Sequence, residues 1–173
     1  MNKALIVVDY QKDFVDGALG FSGAELLDRP IAKRIRDRRA EGYDIIFTLD
    51  THSSKYLSSA EGRSLPVAHC IENTPGHDLF GETALELRPG DTLLEKPTFG
   101  SDRLFYLLKA KPYDRIELVG LVSNICVLSN AVIAKTACPE AEISVDGALT
   151  SGGDKRLDSA AREILKGLLI EVL

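Results

Sequence analysis

The chain reads as an α/β domain: an open parallel β-sheet with helices on both faces. Six short apolar runs, Ala4–Val8, Asp44–Leu49, Thr92–Leu94, Ile116–Val119, Ile143–Val145 and Leu168–Val172, have the near-continuous Val/Ile/Leu character of strands buried on both sides. Helix-like or turn-rich segments separate them at the spacing of βαβ units. With 173 residues the chain is expected to form one domain over 1–173. A chain of that size buries roughly 70% of its unfolded surface and needs no staples.

The helices follow from their stop signals. Pro30 to Ala40 reads as a helix stopped by Gly42, and Ser101 to Lys109 as one stopped before Pro112. Ser123 to Ala137 stops before Pro139, and Asp154 to Lys166 is stopped by Gly167. Thr51 to Arg88 departs from this pattern. It holds Gly, Ser, Pro and all three histidines with little periodicity, and so long an irregular insert in a compact domain is usually functional. No internal repeat, low-complexity tract or linker interrupts the chain.

Charge and cysteine content exclude several classes. A net charge of −5 argues against non-specific nucleic-acid binding, and the basic stretch Lys33, Arg34, Arg36, Arg38, Arg39 reads as the solvated face of a helix. The thiols Cys70, Cys126 and Cys138 are an odd count without framework spacing, and the first residues lack an apolar signal segment. No run approaches the ~18 apolar residues that span a bilayer. The expectation is a soluble cytoplasmic protein with no nucleic-acid or membrane partner. The apolar stretch Val127 to Ala134 suits core packing and self-association equally, which leaves a homo-oligomer open.

The reactive side chains fall in telling places. Asp9 ends the first apolar run, Asp50 ends the second, Lys96 follows the third by two residues, and Cys126 opens the helix after the fourth. Open parallel sheets bind ligands outside the carboxyl ends of their strands, so these four groups should converge in one cleft. Each alone has a bland reading as a turn cap, a surface lysine or a small buried thiol; their convergence argues against it. A thiol in the first turn of a helix is expected to favour thiolate, and the free N–H groups there can hold an oxyanion. Asp9 would accept the thiol proton, and Lys96 would stabilise both charged groups.

No histidine is placed to act as the base, because all three lie between positions 52 and 77. Asp50-Thr51-His52 instead sets a carboxylate and an imidazole at a strand end, and His69 follows in Leu65-Pro66-Val67-Ala68-His69-Cys70. One carboxylate and two imidazoles suit Zn²⁺, Fe²⁺ or Mn²⁺ with open positions left over, and Glu61 is a candidate fourth ligand. His77 reads as a surface residue.

Taken together these segments resemble the isochorismatase-like cysteine hydrolases, and within them the nicotinamidases. The resemblance is carried by Ala4 through Phe14, Asp50-Thr51-His52, Leu65 through Cys70 followed by Thr74-Pro75-Gly76, Glu95-Lys96-Pro97-Thr98-Phe99, and Gly120 through Val127. It implies a six-stranded, Rossmann-like parallel sheet, Asp9, Lys96 and Cys126 as catalytic triad, and Asp50, His52 and His69 as ligands of one divalent metal, zinc foremost. It also implies a cis peptide between Leu121 and Val122 and an oxyanion hole from the Val122 and Cys126 N–H groups. The implied reaction is hydrolysis of nicotinamide to nicotinate and ammonia through a cysteine thioester, with the metal holding the pyridine nitrogen.

Two positions depart from that pattern. Many nicotinamidases carry a histidine where this chain has Tyr56, and Glu61 resembles the ligand some relatives use instead. Leu65 stands where they usually have Trp, leaving Phe14, with Phe99 and Tyr106, as the aromatic walls for a flat ring. Two other classes stay open: an amidase for N-carbamoyl, ureido or other small amides, which would not need the metal, and a non-catalytic ligand-binding module on the same fold.

Overall fold

The computed structural model describes residues 1–173. The elements run β1 (Lys3–Val8), α1 (Lys12–Val15), α2 (Asp28–Ala40), β2 (Asp44–Asp50), α3 (Ala60–Ser64), α4 (Gly81–Leu85), β3 (Thr92–Lys96), α5 (Asp102–Ala110), β4 (Arg115–Leu121), α6 (Leu128–Ala137), β5 (Glu142–Ser151), α7 (Lys155–Gly167) and β6 (Glu171–Val172). All six strands join one parallel sheet in the order β3-β2-β1-β4-β5-β6. The chain steps outward from β1 to β2 and β3, then returns to lay β4 on the other side of β1. That reversal opens a crevice at the carboxyl ends of β1 and β4.

Strand alternation assigns the two faces. Ala4, Ile6, Val8, Ile116 and Leu118 pack with Leu104 and Leu108 of α5, Ala131 and Ala134 of α6, and Leu165 of α7. Leu5, Val7, Val119 and Leu121 pack on the opposite face with Ile31 and Ile35 of α2 and Phe14 of α1. Burying each such aliphatic side chain is worth about 1.5–3 kcal/mol against leaving it in water. Val127, Ala131 and Ala134 lie in the core. Side-chain caps start three helices: Ser59 accepts from the Gly62 N–H of α3, Ser101 from the Leu104 N–H of α5, and Asp154 from the Arg156 and Leu157 N–H groups of α7. No helix is long and apolar enough to cross a membrane.

The structure differs from the sequence reading in several places. Strand β6 is only Glu171–Val172, because Leu168 and Leu169 close α7 through bonds to Ile164, Leu165 and Lys166 carbonyls. Strand β5 continues past Val145 to Ser151, its register against β4 shifting between Leu118 and Gly120. The segment Ser123–Val127 is a π-helical turn rather than the first turn of an α-helix. The basic stretch is a solvated face only in part: Lys33 and Arg36 are exposed, but Arg34, Arg38 and Arg39 fold into ion pairs with Glu117, Asp146, Glu86 and Asp91.

Gly120 shows why β4 can lie so close to β1. Its φ of 112° is in the left-handed region, and a Cβ there would sit 2.1 Å from the Val8 carbonyl oxygen. Only glycine satisfies both demands.

Candidate active site

The crevice gathers the four groups expected there. Asp9 follows β1 with φ of 44°, a strained value for a residue with a side chain, which turns it out of the strand. Its Oδ1 accepts a 2.6 Å bond from the Thr48 hydroxyl of β2. Its Oδ2 lies 2.6 Å from Lys96 Nζ but receives no aligned hydrogen bond. Lys96, the last residue of β3 rather than two residues beyond it, also reaches Asp50 Oδ1 at 3.4 Å, donates to the Thr98 carbonyl at 2.9 Å and approaches Cys126 Sγ at 3.8 Å. One buried ammonium thus touches both carboxylates and the thiol.

Cys126 sits mid-way along the π-helical turn. That turn closes with the Val127 N–H donating to the Val122 carbonyl, and the fully buried Asn130 braces it by donating to the carbonyls of Cys126 and Phe99 while accepting from the Ser101 N–H. The Leu121–Val122 peptide is cis. The Val122 N–H has no acceptor within the protein.

Burial and neighbouring counter-charges act in opposite directions on the reactive groups. Burial raises the Cys126 thiol well above its usual range, Asp9 adds to this, and Lys96 offsets only part. Desolvation thus works against the thiolate, and Lys96 works for it. Burial also raises Asp9, with Lys96 acting against it. For Lys96 burial works against the charged form, but Asp9 foremost, with Cys126 and Asp50, outweighs it and keeps the ammonium protonated.

Beside this group lies a second cluster. Asp50 Oδ2 is 3.0 Å from His52 Nε2 and 3.3 Å from His69 Nε2, and Glu61 Oε1 is 3.6 and 3.7 Å from the same two nitrogens. One ligand atom from each of Asp50, His52 and His69 falls within 4.8 Å of the others, and all three residues are buried. The Val67 carbonyl lies 2.8 Å from His69 Nδ1, a bond that places the proton there and leaves Nε2 as a lone-pair donor. Buried oxygen and nitrogen donors so close together fit a divalent cation. Burial works to raise Asp50, yet His52, His69 and Lys96 hold it below the usual carboxylate range. Tyr56 packs its ring 4.7 Å from His52 and 4.8 Å from His69, centroid to centroid. Its hydroxyl, pushed up to about 12 by burial and by Glu61, contacts Glu61 Oε1 at 3.4 Å and donates to the Leu65 carbonyl at 3.0 Å.

A cavity of about 270 Å³ joins the two clusters. Cys126 and Val122 line it together with Asp50, Glu61 and His69, and its other walls are Phe14, Leu19, Phe21, Leu65, Phe99, Ile125 and Gly153. Of the aromatic and aliphatic walls expected, Phe14, Leu65 and Phe99 are present. Tyr106 is not: it is 69% exposed on the outer side of α5, edge-on to Phe105. Leu19, Phe21, Ile125 and Gly153 come from irregular or π-helical backbone, where no period marks an inward face. Thr48, Asn130 and Gln11, which brace the reactive groups, were also not singled out from sequence. His77 is half-buried rather than on the surface, its ring bonded to the Thr51 hydroxyl at 2.8 Å.

Sequence and fold comparisons identify the family. Residues 3–137 match the model of the isochorismatase domain, and the chain belongs to the isochorismatase family. It is 31% identical over 146 residues to an isochorismatase family protein of Bacillus subtilis, covering 78% of this chain and 79% of that one. It is 25% identical over 187 residues to the nicotinamidase/pyrazinamidase of Mycobacterium tuberculosis, covering 99% and 98%. Among solved structures, the zinc complex of the Pyrococcus horikoshii pyrazinamidase superposes with a TM-score of 0.88 at 24% identity over 100% and 99% of the two chains.

Proposed function

We propose that this protein is a cysteine amidohydrolase that converts nicotinamide to nicotinate and ammonia, a step of NAD salvage in the cytoplasm. The observation that carries the reading is the shared cavity: a thiol and a metal-type donor cluster line one apolar pocket. Similarity to a nicotinamidase/pyrazinamidase over nearly the whole chain supports the substrate.

In this reading Asp9 takes the Cys126 proton as the sulfur attacks the carboxamide carbon, and Lys96 holds Asp9 in place and balances the negative charge. The carbonyl oxygen, now an oxyanion, is held by the Val122 and Cys126 N–H groups. Asp9 returns the proton to nitrogen as the C–N bond breaks, ammonia departs, and a thioester remains on Cys126. Asp9 then deprotonates a water that attacks the thioester, releasing the acid and restoring the thiol. A divalent metal on Asp50, His52, His69 and Glu61, zinc above iron or manganese, would supply a Lewis-acidic position for the ring nitrogen. Phe14 and Phe99 would flank the ring.

The cavity lining also speaks against the principal alternative. No Arg or Lys lines it, and Lys96 is engaged by Asp9. A substrate with its own carboxylate, as an N-carbamoyl amino acid has, would find no free side-chain cation there to pair with. Ammonia release from nicotinamide by metal-replete protein is the direct test. Silence on nicotinamide with turnover of carbamoyl or ureido compounds would transfer the assignment to that class, and silence on every amide would favour a binding module.

A further inference from the structure

The ladder between β1 and β2 breaks early. Regular pairing ends at Val8 and Thr48, and after the Asp9 N–H donates to the Thr48 carbonyl the left-handed turn at Asp9 carries the main chain of β1 away. Asp50, two residues further along β2, would be left with an N–H and a carbonyl pointing at a strand that is no longer there. The side chain of Gln11 takes that place. Its Oε1 accepts the Asp50 N–H at 2.8 Å and its Nε2 donates to the Asp50 carbonyl at 2.9 Å, so one carboxamide exchanges both bonds as a neighbouring strand would. The second Nε2 proton goes to the His77 carbonyl at 2.8 Å, and the Gln11 main chain bridges to Leu79. Gln11 is fully buried.

We propose that Gln11 is the positioning residue for Asp50: its carboxamide substitutes for the missing strand, fixes the backbone of the carboxylate donor at the metal-type cluster, and so sets the affinity and geometry of that site. This rests on reading Asp50, His52 and His69 as metal ligands. The same turn that strains Asp9 toward the thiol thereby depends on a residue two positions later to keep the neighbouring site in register. A carboxamide is needed because the three bonds require two donors and an acceptor on one planar group, which neither Glu nor an apolar side chain supplies at neutral pH.

The test measures metal affinity by chelator competition and ligand geometry by the d–d absorption of the Co²⁺-loaded protein. Gln11→Met keeps the volume and removes the bonds. It should weaken Zn²⁺ binding about 10–100-fold, the range for losing a partner that orients a ligand, and shift the Co²⁺ spectrum. Ile35→Val, a core change of modest cost where α2 packs on the sheet, should leave both readouts unchanged and so separates positioning from general stability. Wild-type affinity and an unshifted spectrum in Gln11→Met would overturn the proposal. Should Gln11→Met fail to fold, hydrogen exchange on the wild-type protein decides: the Asp50 amide should be protected to the level of the β2 interior, and rapid exchange overturns the proposal. A wild-type protein that binds no metal would remove the metal reading itself, whereas a metal-binding wild type with an indifferent Gln11 variant removes Gln11 alone.

Discussion

Two buried ion clusters sit on this sheet, and only one is equipped for chemistry. On the α2 face, Glu117 of β4 and Asp146 of β5 share the guanidinium of Arg34, and Arg38 adds a second cation at 2.7 Å. Three of the four carboxylate oxygens there accept a hydrogen bond, Glu117 Oε1 from Arg34, Oε2 from Arg38 and Asp146 Oδ1 from the Ala148 N–H, and the fourth, Asp146 Oδ2, lies 2.6 Å from Arg34 in an ion pair. At the carboxyl ends of the strands, Asp9 Oδ2 lacks an aligned donor and lies in the same buried group as a thiol that burial pushes up. The first cluster is closed. The second sets a carboxylate and an ammonium beside a thiol.

Cavity size does not separate the two. A cleft of about 250 Å³ runs beside Glu117 and Arg38, and one of about 500 Å³ is lined by Arg39, Asp44, Asp91 and Lys111, both with volumes comparable to or larger than the pocket at Cys126 where measured. In each, most charged walls are already paired: Arg115 with Glu142, Arg39 with Asp91, Lys111 with Asp44. Unfinished hydrogen bonding beside a nucleophile marks a reactive site better than volume or buried charge does.

The largest effect should fall on the sulfur. Cys126→Ala should lower turnover of nicotinamide by about 10⁴-fold or more while the fold persists, as expected for removal of a covalent nucleophile. Cys70→Ala and Cys138→Ala, which change thiols outside the cluster, should keep most activity. Steady-state ammonia release and circular dichroism decide this, and a Cys126→Ala protein at native rate would place the chemistry elsewhere.

Why the site was legible in the sequence while its walls were only partly so follows from the same geometry. Asp9, Asp50 and Lys96 stand at or next to strand ends, and a parallel sheet sends all those ends to one side, so spacing alone brings them together. The π-helical turn at Cys126 left no such trace, because its five-residue closure needs no Gly or Pro to announce it. Tyr106 was misplaced by one step of rotation: Leu104 and Leu108, four residues apart, define the inward stripe of α5, and Tyr106 lies between them on the opposite side. The arginines of α2 were misread because their partners, Glu117 and Asp146, lie far along the chain inside strand patterns where a lone acid gives no periodic signal.

A second effect should read the other cluster of the site. His52→Ala and His69→Ala should lose most bound metal by elemental analysis, with affinity falling beyond the roughly 100-fold upper range for losing an outer partner. If the ring nitrogen is then read by that position, benzamide should be turned over at least about 100-fold less efficiently than nicotinamide or pyrazinamide by the wild-type protein. Equal kcat/KM on benzamide and nicotinamide would show that the donor cluster does not choose the ring.

The closed cluster should respond in stability rather than rate. Glu117→Gln removes the charge that two guanidiniums share and should cost about 3 kcal/mol, the lower end for breaking a buried pair because both arginines retain some exposure. Urea denaturation should show the loss while kcat on nicotinamide stays near wild type at temperatures where the protein is folded. A tenfold fall in kcat without loss of stability would mean that the two clusters communicate through β4, and the contrast between them would fail.

The smallest effect should come from the aromatic that sequence reasoning placed at the site and the structure does not. Tyr106 makes its recorded aromatic contact with Phe105 and is 69% exposed, so Tyr106→Ala should change stability by no more than about 0.5–1.5 kcal/mol, the worth of one exposed aromatic pair, and leave KM within about twofold. Phe14 is the informative partner to this variant. It is buried, lines the cavity and holds its ring 5.6 Å from that of His69, so Phe14→Ala should raise KM for nicotinamide severalfold by removing a wall the ring would lie against. Measuring both variants on the same substrate separates cavity lining from mere aromatic character. If Tyr106→Ala raised KM as much as Phe14→Ala does, substrate would have to reach the outer side of α5, and the pocket between Cys126 and the histidines would not be where the ring is held.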